Sequence, residues 1–332
     1  MLLFKKLKFF IKITFIYIFV FELIFQACFL FNLNEIKKPA LYYNGFCDQN
    51  YWNLINNKIT YDNNTEYHPV LSLVKKDLKI PKQIPKKMNS DVVSFIKNEV
   101  SIYGSSYNNH KDFIKLFVEN KNISFKNYSL ESYGLDQIYL SYKLTAHLNQ
   151  NKTIIIGFLL EDLDRSLFSK REYQKALFVK KNKDFIVENI PINQNKKIPL
   201  TIDFYLFKFI KNFYNLIMND FDTRQSVCNI EEKKELLEFF IDDIINLSSH
   251  YNQKIIIITY NLKEDLVKKP TWRYSFIADY LKKNKIIHID SYKILKKESL
   301  DDAKKIDTYF GLDKHNNEKS FRYIFDELLP FL

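Results

Sequence analysis

Two polar residues near the end of the chain, Asp313 and His315, lie in a loop just ahead of an amphipathic helix predicted over 317–331. A carboxylate able to orient an imidazole is half of an acid–base catalyst, and what it lacks is a nucleophile. Ser105 and Ser106 answer that need. They follow the apolar run 100–103 and Gly104, where a strand turns into a helix and backbone N–H groups are free to hold an oxyanion. Taken singly, each of these residues has a bland reading, because a Ser or Asp in such a place also caps a helix. Taken together, they describe acyl transfer, which needs no metal or organic cofactor.

Such residues need a scaffold to bring them together. From about residue 91 short apolar runs alternate with longer helical patterns, which predicts an α/β sheet with crossover helices. Strands are expected at 100–103, 123–126, 153–158, 254–259 and 286–290, with helices at 108–120, 134–149, 231–251, 272–284 and 317–331. Ligands of a parallel sheet bind beyond the carboxyl ends of its strands, so 127–137 and 159–165 are the other stretches where chemistry is expected. An insertion at about 168–228 contains a hairpin over 176–188 and an aromatic-rich helix over 203–220, expected to pack into a core.

The N-terminal stretch reads differently. Lys5, Lys6, Lys8 and Lys12 precede an apolar run, 13–33, that only Glu22 interrupts with a charge. A central carboxylate costs roughly 2.5 to 3.5 kcal/mol, less than the summed gain of the Leu, Ile, Val and Phe residues at roughly 0.3 to 0.6 kcal/mol each. The run therefore predicts a transmembrane helix with the N-terminus cytoplasmic and the body periplasmic or extracellular. A cleaved signal peptide, the rival reading, calls for a shorter run and a small-x-small cleavage site. Pro39, Pro69, Pro81 and Pro85 make 34–90 an irregular membrane-proximal region and linker, leaving 91–332 as the main domain. Cys47 and Cys228 are the two cysteines outside the run, and a disulfide and isolated thiols are both open to them.

Several function classes drop out. The charge of +11 comes from 50 basic residues scattered among 39 acidic ones, a solvated surface and not a nucleic-acid stripe. With 5 Gly in total the chain has no Gly-rich phosphate loop. No Cys/His spacing suggests zinc, and His68, His110, His147, His250 and His288 are expected to be surface or loop residues.

In their order and strand positions the chemical blocks resemble the SGNH/GDSL hydrolase family over roughly residues 95–332. The resemblance implies a flavodoxin-like three-layer α/β/α sandwich with a mainly parallel five-stranded sheet. Gly104-Ser105-Ser106 stands where the family has Gly-Asp-Ser, which makes Ser106 the nucleophile. Asn127-x-Ser129-x-x-Ser132-x-Gly134 matches the second block, with Ser132 in place of the oxyanion-hole Gly. Glu161-Asp162 replaces Asn-Asp in the third, and a carboxylate cannot donate a hydrogen bond unless protonated. Glu161 is expected to point away and leave backbone donors to act, with a carboxyl kept neutral by burial and a decayed site as the alternatives. Asp313-Lys314-His315 is shorter than the usual Asp-x-x-His and is similar to polysaccharide acetylation proteins of the wider superfamily. The resemblance implies a serine esterase or acyltransferase with the triad Ser106, His315 and Asp313, acting on an acylated cell-envelope glycan or lipid. The second reading is a catalytically impaired relative that assembles envelope or binds glycan.

Overall fold

The computed structural model describes residues 2–31, 38–55, 61–85, 94–182, 184–196, 203–218, 228–300 and 302–332. They belong to two compact units, one formed by Met1–Lys58, Lys170–Glu172 and Asn195–Cys228, the other by Ile59–Ser169, Tyr173–Gln194 and Asn229–Leu332.

Among the described residues the larger unit contains nine strands. A hairpin of β1 (Thr65–His68) and β2 (Ser72–Lys75) precedes β3 (Glu99–Gly104), β4 (Ser124–Asn127) and β5 (Thr153–Leu159). A second hairpin joins β6 (Leu177–Lys181) to β7 (Asp184–Glu188), and β8 (Lys254–Tyr260) and β9 (Ile287–Asp290) follow. The main sheet has the order β4-β3-β5-β8-β9 and every pairing in it is parallel. Numbered within the sheet this is 2-1-3-4-5, the flavodoxin-like order, whose chain reversal lies between the first and third strands.

The central strands read as unbroken apolar runs because helices cover both faces. Alternation is still visible in where side chains go: Ile154, Ile156 and Ile257 enter one core, while Ile155, Ile256 and Ile258 enter the other. Helices Leu135–Thr145 and Ile230–His250 close the first face through Ile138, Leu140, Phe240 and Ile244. Helices Lys111–Glu119 and Glu318–Leu328 close the second through Phe113, Phe117, Phe321 and Ile324. Each such side chain contributes about 1.5 to 3 kcal/mol on burial, so the three-layer sandwich is fixed by apolar area. Strand boundaries fall within a residue or so of expectation. The helix expected at 108–120 is interrupted: His110 is extended (φ −64°, ψ 136°) and separates a short helix, Ser106–Asn109, from Lys111–Glu119.

The smaller unit is built on a helix of 29 residues, Leu2–Leu30, with helices Gln49–Leu54 and Tyr205–Met218. Phe29 stacks on Tyr205 at 3.9 Å, and Tyr42 and Tyr43 complete a small aromatic core. Cys47 and Cys228 form a disulfide with their Cα atoms 5.7 Å apart, which decides between the two thiol readings. Glu22 is not an isolated charge, since its carboxylate accepts the N–H groups of Tyr205 (3.1 Å) and Leu206 (2.9 Å) at the start of Tyr205–Met218. Phe204, Phe207 and Ile210 stay exposed, so the core packing expected of that helix is partial. Among the described residues no helix is long and apolar enough to cross a membrane. The junctions expected at 33/34 and 90/91 and the end of the linker at 86–87 lie outside the described residues.

Candidate active site

The site begins at two glycines that face each other across the sheet. Gly104 ends β3 and pairs with Gly157 of β5. A Cβ on Gly104 would lie 2.6 Å from the Gly157 carbonyl oxygen, and one on Gly157 would lie 2.0 Å from Asn108 Oδ1. The two hydrogens let Asn108 fold over the strand ends, so the turn holding Ser105 and Ser106 lies flat on the sheet. Ser105 supplies the extended residue before the helix (φ −96°, ψ −153°), and its side chain is buried. Ser106 is half-buried and opens the helix Ser106–Asn109.

The closing loop delivers the base. Phe310 bridges to Asn316, Gly311 N–H donates to the His315 carbonyl (2.8 Å), and Lys314 sits in the left-handed region at φ 66°. That left-handed residue folds the Asp-x-His spacing back on itself, and Asp313 Oδ1 accepts the His315 backbone N–H at 3.1 Å. His315 Nε2 then lies 2.9 Å from Ser106 Oγ, a hydrogen bond between residues 209 apart in sequence. On its other side Nδ1 faces Asp313 Oδ2 at 3.5 Å, a charge contact longer than an ordinary hydrogen bond. Aromatic rings fix the imidazole plane, with Tyr107 at 4.9 Å and Tyr107 itself stacked on Tyr260 at 4.8 Å.

A residue expected on the surface or in a loop also stands in the site. His110 lies 5.8 Å from the His315 ring with the planes 19° apart, and its Nε2 is 3.6 Å from Asp313 Oδ2. Its Nδ1 accepts the Asp112 N–H at 3.3 Å, capping the helix Lys111–Glu119. An accepting Nδ1 leaves the proton of neutral imidazole on Nε2, facing Asp313. Slight burial raises the Asp313 pKa, but the His315 N–H and the two imidazoles outweigh it and hold the carboxyl below its ordinary range. His68 corrects the surface expectation as well, being buried with Nδ1 accepting Val70 N–H and Leu71 N–H, both at 3.2 Å.

The loop after β4 runs alongside the nucleophile turn. Leu130 N–H donates to the Gly104 carbonyl (3.1 Å), and Asn127 Nδ2 donates to the Asn108 carbonyl (3.2 Å). Ser132 takes φ 65°, the left-handed backbone a glycine adopts freely, at the position where the sequence departs from Gly. A serine there carries a strain on the order of 1 to 2 kcal/mol.

Glu161 is buried, 2% exposed, and neither carboxyl oxygen has a hydrogen-bond partner among the described residues. Burial, then repulsion from Asp265, push its pKa up to about 8 against the pull of Arg273, so the carboxyl is mostly neutral at neutral pH. The carboxyl is enclosed, and it lies near enough to Tyr107 that, after burial, its charge is the main influence holding that phenol well above its ordinary range. The neighbouring carboxylates are structural. Asp162 accepts Leu159 N–H (3.0 Å) and pairs with Arg165 (2.9 Å), and Asp164 holds Lys233 (2.5 Å) and Arg273 (2.7 Å). Among the described residues no group of three or more His, Cys, Asp or Glu is placed to hold a metal ion.

No family model matches this chain, and no curated protein matches it. Among solved structures it is similar to a member of the lipolytic protein G-D-S-L family from Veillonella parvula, with 12% identity and a TM-score of 0.41 over 70% of this chain and 96% of that one. A putative lipolytic protein of the same family from Desulfitobacterium hafniense gives 11% identity and a TM-score of 0.38 over 71% of this chain and 100% of that one. The α/β hydrolase LAE5 from the metagenome of Lake Arreo gives 7% identity and a TM-score of 0.42 over 71% and 95%. The strand order and the helices on both faces make the fold a flavodoxin-like three-layer α/β/α sandwich. The likeness extends to the fold alone, and the chemistry below rests on this chain's own distances.

Proposed function

We propose that this protein is a serine ester hydrolase or O-acyltransferase using Ser106, His315 and Asp313. The observation that carries the reading is the 2.9 Å contact between Ser106 Oγ and His315 Nε2. His315 Nε2 takes the hydroxyl proton as Oγ bonds to an ester carbonyl carbon, and Asp313 stabilises the imidazolium that forms. The carbonyl oxygen becomes an oxyanion, held by the backbone N–H groups of Ser106 and Ser132. Collapse expels the alcohol with the proton from His315, and water or a sugar hydroxyl then resolves the acyl-enzyme. His110, through Nε2–H, is a positioning residue for Asp313.

The fluorophosphonate test is direct. Wild-type protein is expected to label at Ser106 and to hydrolyse a short-chain aryl ester, and Ser106→Ala to do neither. A folded wild type that does not label, or a Ser106→Ala protein with undiminished turnover, overturns the reading.

We also propose that the substrate is an acylated glycan or lipid of the cell envelope, with residues 13–33 attaching the chain to a membrane and the body outside the cytoplasm. Support comes from the Cys47–Cys228 disulfide, which suits an oxidising compartment, from the lysines that precede the apolar run within the helix Leu2–Leu30, and from the capping role that satisfies Glu22.

A further inference from the structure

Against the end of the helix that Ser106 opens lies a basic cavity of about 530 Å³, lined by Lys75, Lys111, Lys126, Asn109, Asn127 and Asp77 over an apolar floor that includes Ile114 and Phe125. Its position follows from the fold. Asn109 ends the four-residue helix that Ser106 begins, and Asn127 ends β4 and ties that helix down through the Asn108 carbonyl (3.2 Å). Helix neighbours three apart have Cβ atoms about 5–6 Å from each other, so Asn109 brings one wall of the cavity within one helical turn of Ser106.

Its charge is unbalanced. Three lysines face a single carboxylate, Asp77. The Lys75 ammonium is tethered by donating to the Asn127 carbonyl at 3.2 Å, and burial lowers its pKa with Asp77 opposing. An ammonium that has lost water gains more from an anion than a solvated one does. The two asparagines add neutral donors, and the apolar floor seats a carbon chain or the face of a sugar ring.

We propose that this cavity binds an anionic group, phosphoryl or carboxylate, carried by the acylated substrate, and so selects charged esters over neutral ones. The inference rests on the ester-transfer reading for its catalytic consequence, but anion binding does not depend on it. Each exposed charge contact is worth a factor of about three, so removing two lowers affinity for the anion about tenfold.

The test uses the full chain in detergent. Titration of Ser106→Ala protein with inorganic pyrophosphate is expected to show saturable binding, weakened about tenfold in Lys111→Gln/Lys126→Gln. A control, Lys282→Gln/Lys283→Gln, removes the same charge from an exposed helix end and is expected to keep the affinity. With the nucleophile intact, the ratio of kcat/KM for 4-acetoxybenzenesulfonate to that for phenyl acetate falls about tenfold in the cavity variant and holds in the control. No pyrophosphate binding, or equal losses in the two variants, overturns the proposal, the latter showing only the pull of the net charge. If neither ester is turned over by the wild type, the hydrolase reading fails while the pyrophosphate arm still judges the cavity.

Discussion

Glu161→Gln is the most informative perturbation, because it replaces a buried carboxyl with an isostere that cannot ionise. The folded-state pKa is raised from 4.5 to about 8. In that window the native chain holds a proton that the unfolded chain has released, so native stability falls as pH rises from about 4.5 and levels off above about 8. The full displacement corresponds to about 5 kcal/mol at most, and the two pH units between about 6 and 8 to about 3 kcal/mol. In a unit of this size, 3 kcal/mol moves the melting temperature by about 6–12 °C. Thermal unfolding of the full chain at about pH 6 and pH 9 is expected to show that loss in the wild type and not in Glu161→Gln, and comparing the two cancels the other titrating groups. Equal pH slopes would mean that Glu161 is ionised or solvated throughout, and the account of the enclosed carboxyl would fall. Turnover should follow the same proton. Above about pH 8 an ionised Glu161 repels the oxyanion, so the wild-type kcat declines where that of Glu161→Gln does not.

Two further outcomes follow from the geometry. His110→Phe keeps the ring packing against His315 and Phe321 (5.4 Å) but removes the Nε2–H facing Asp313. Because Asp313 is 57% exposed and the contact is 3.6 Å, kcat should fall only about threefold with KM unchanged, and His110→Gln, which restores an N–H at similar reach, should recover it. Equal losses in both variants would reduce His110 to a packing residue. Expressed in a bacterial cell, the full chain is expected to remain with membranes after alkaline extraction and to resist thiol labelling at Cys47 and Cys228 until reduced. Release of the chain, or labelling without reductant, would remove the envelope setting while leaving the ester chemistry to be judged on Ser106.

What was legible in the sequence, and what was not, divides by the range of the interactions involved. The sheet strands were readable because an apolar run buried on both faces is a local signal, and Ile154–Ile156 and Ile255–Ile258 carry it within a few residues. The turn at Gly104-Ser105-Ser106 was readable for the same reason. The break at His110 was not, because a run of helix formers gives no sign that its imidazole will cap the second helix and face Asp313, a residue 203 positions away. The one available clue was position, since His110 follows the nucleophile by four residues and any side chain there is carried into the site. Glu161 shows the same limit more sharply. Its sequence context says only that a carboxylate stands where a donor is wanted. Whether that carboxylate is a charge depends first on its burial and then on Asp265 and Arg273, brought to it by the segments after β8. The chemistry of the substituted position is therefore set in part by helices that belong to neither the nucleophile turn nor the closing loop. A substitution in those helices, distant from Ser106 in sequence, changes the protonation of the site without touching Ser106, His315 or Asp313.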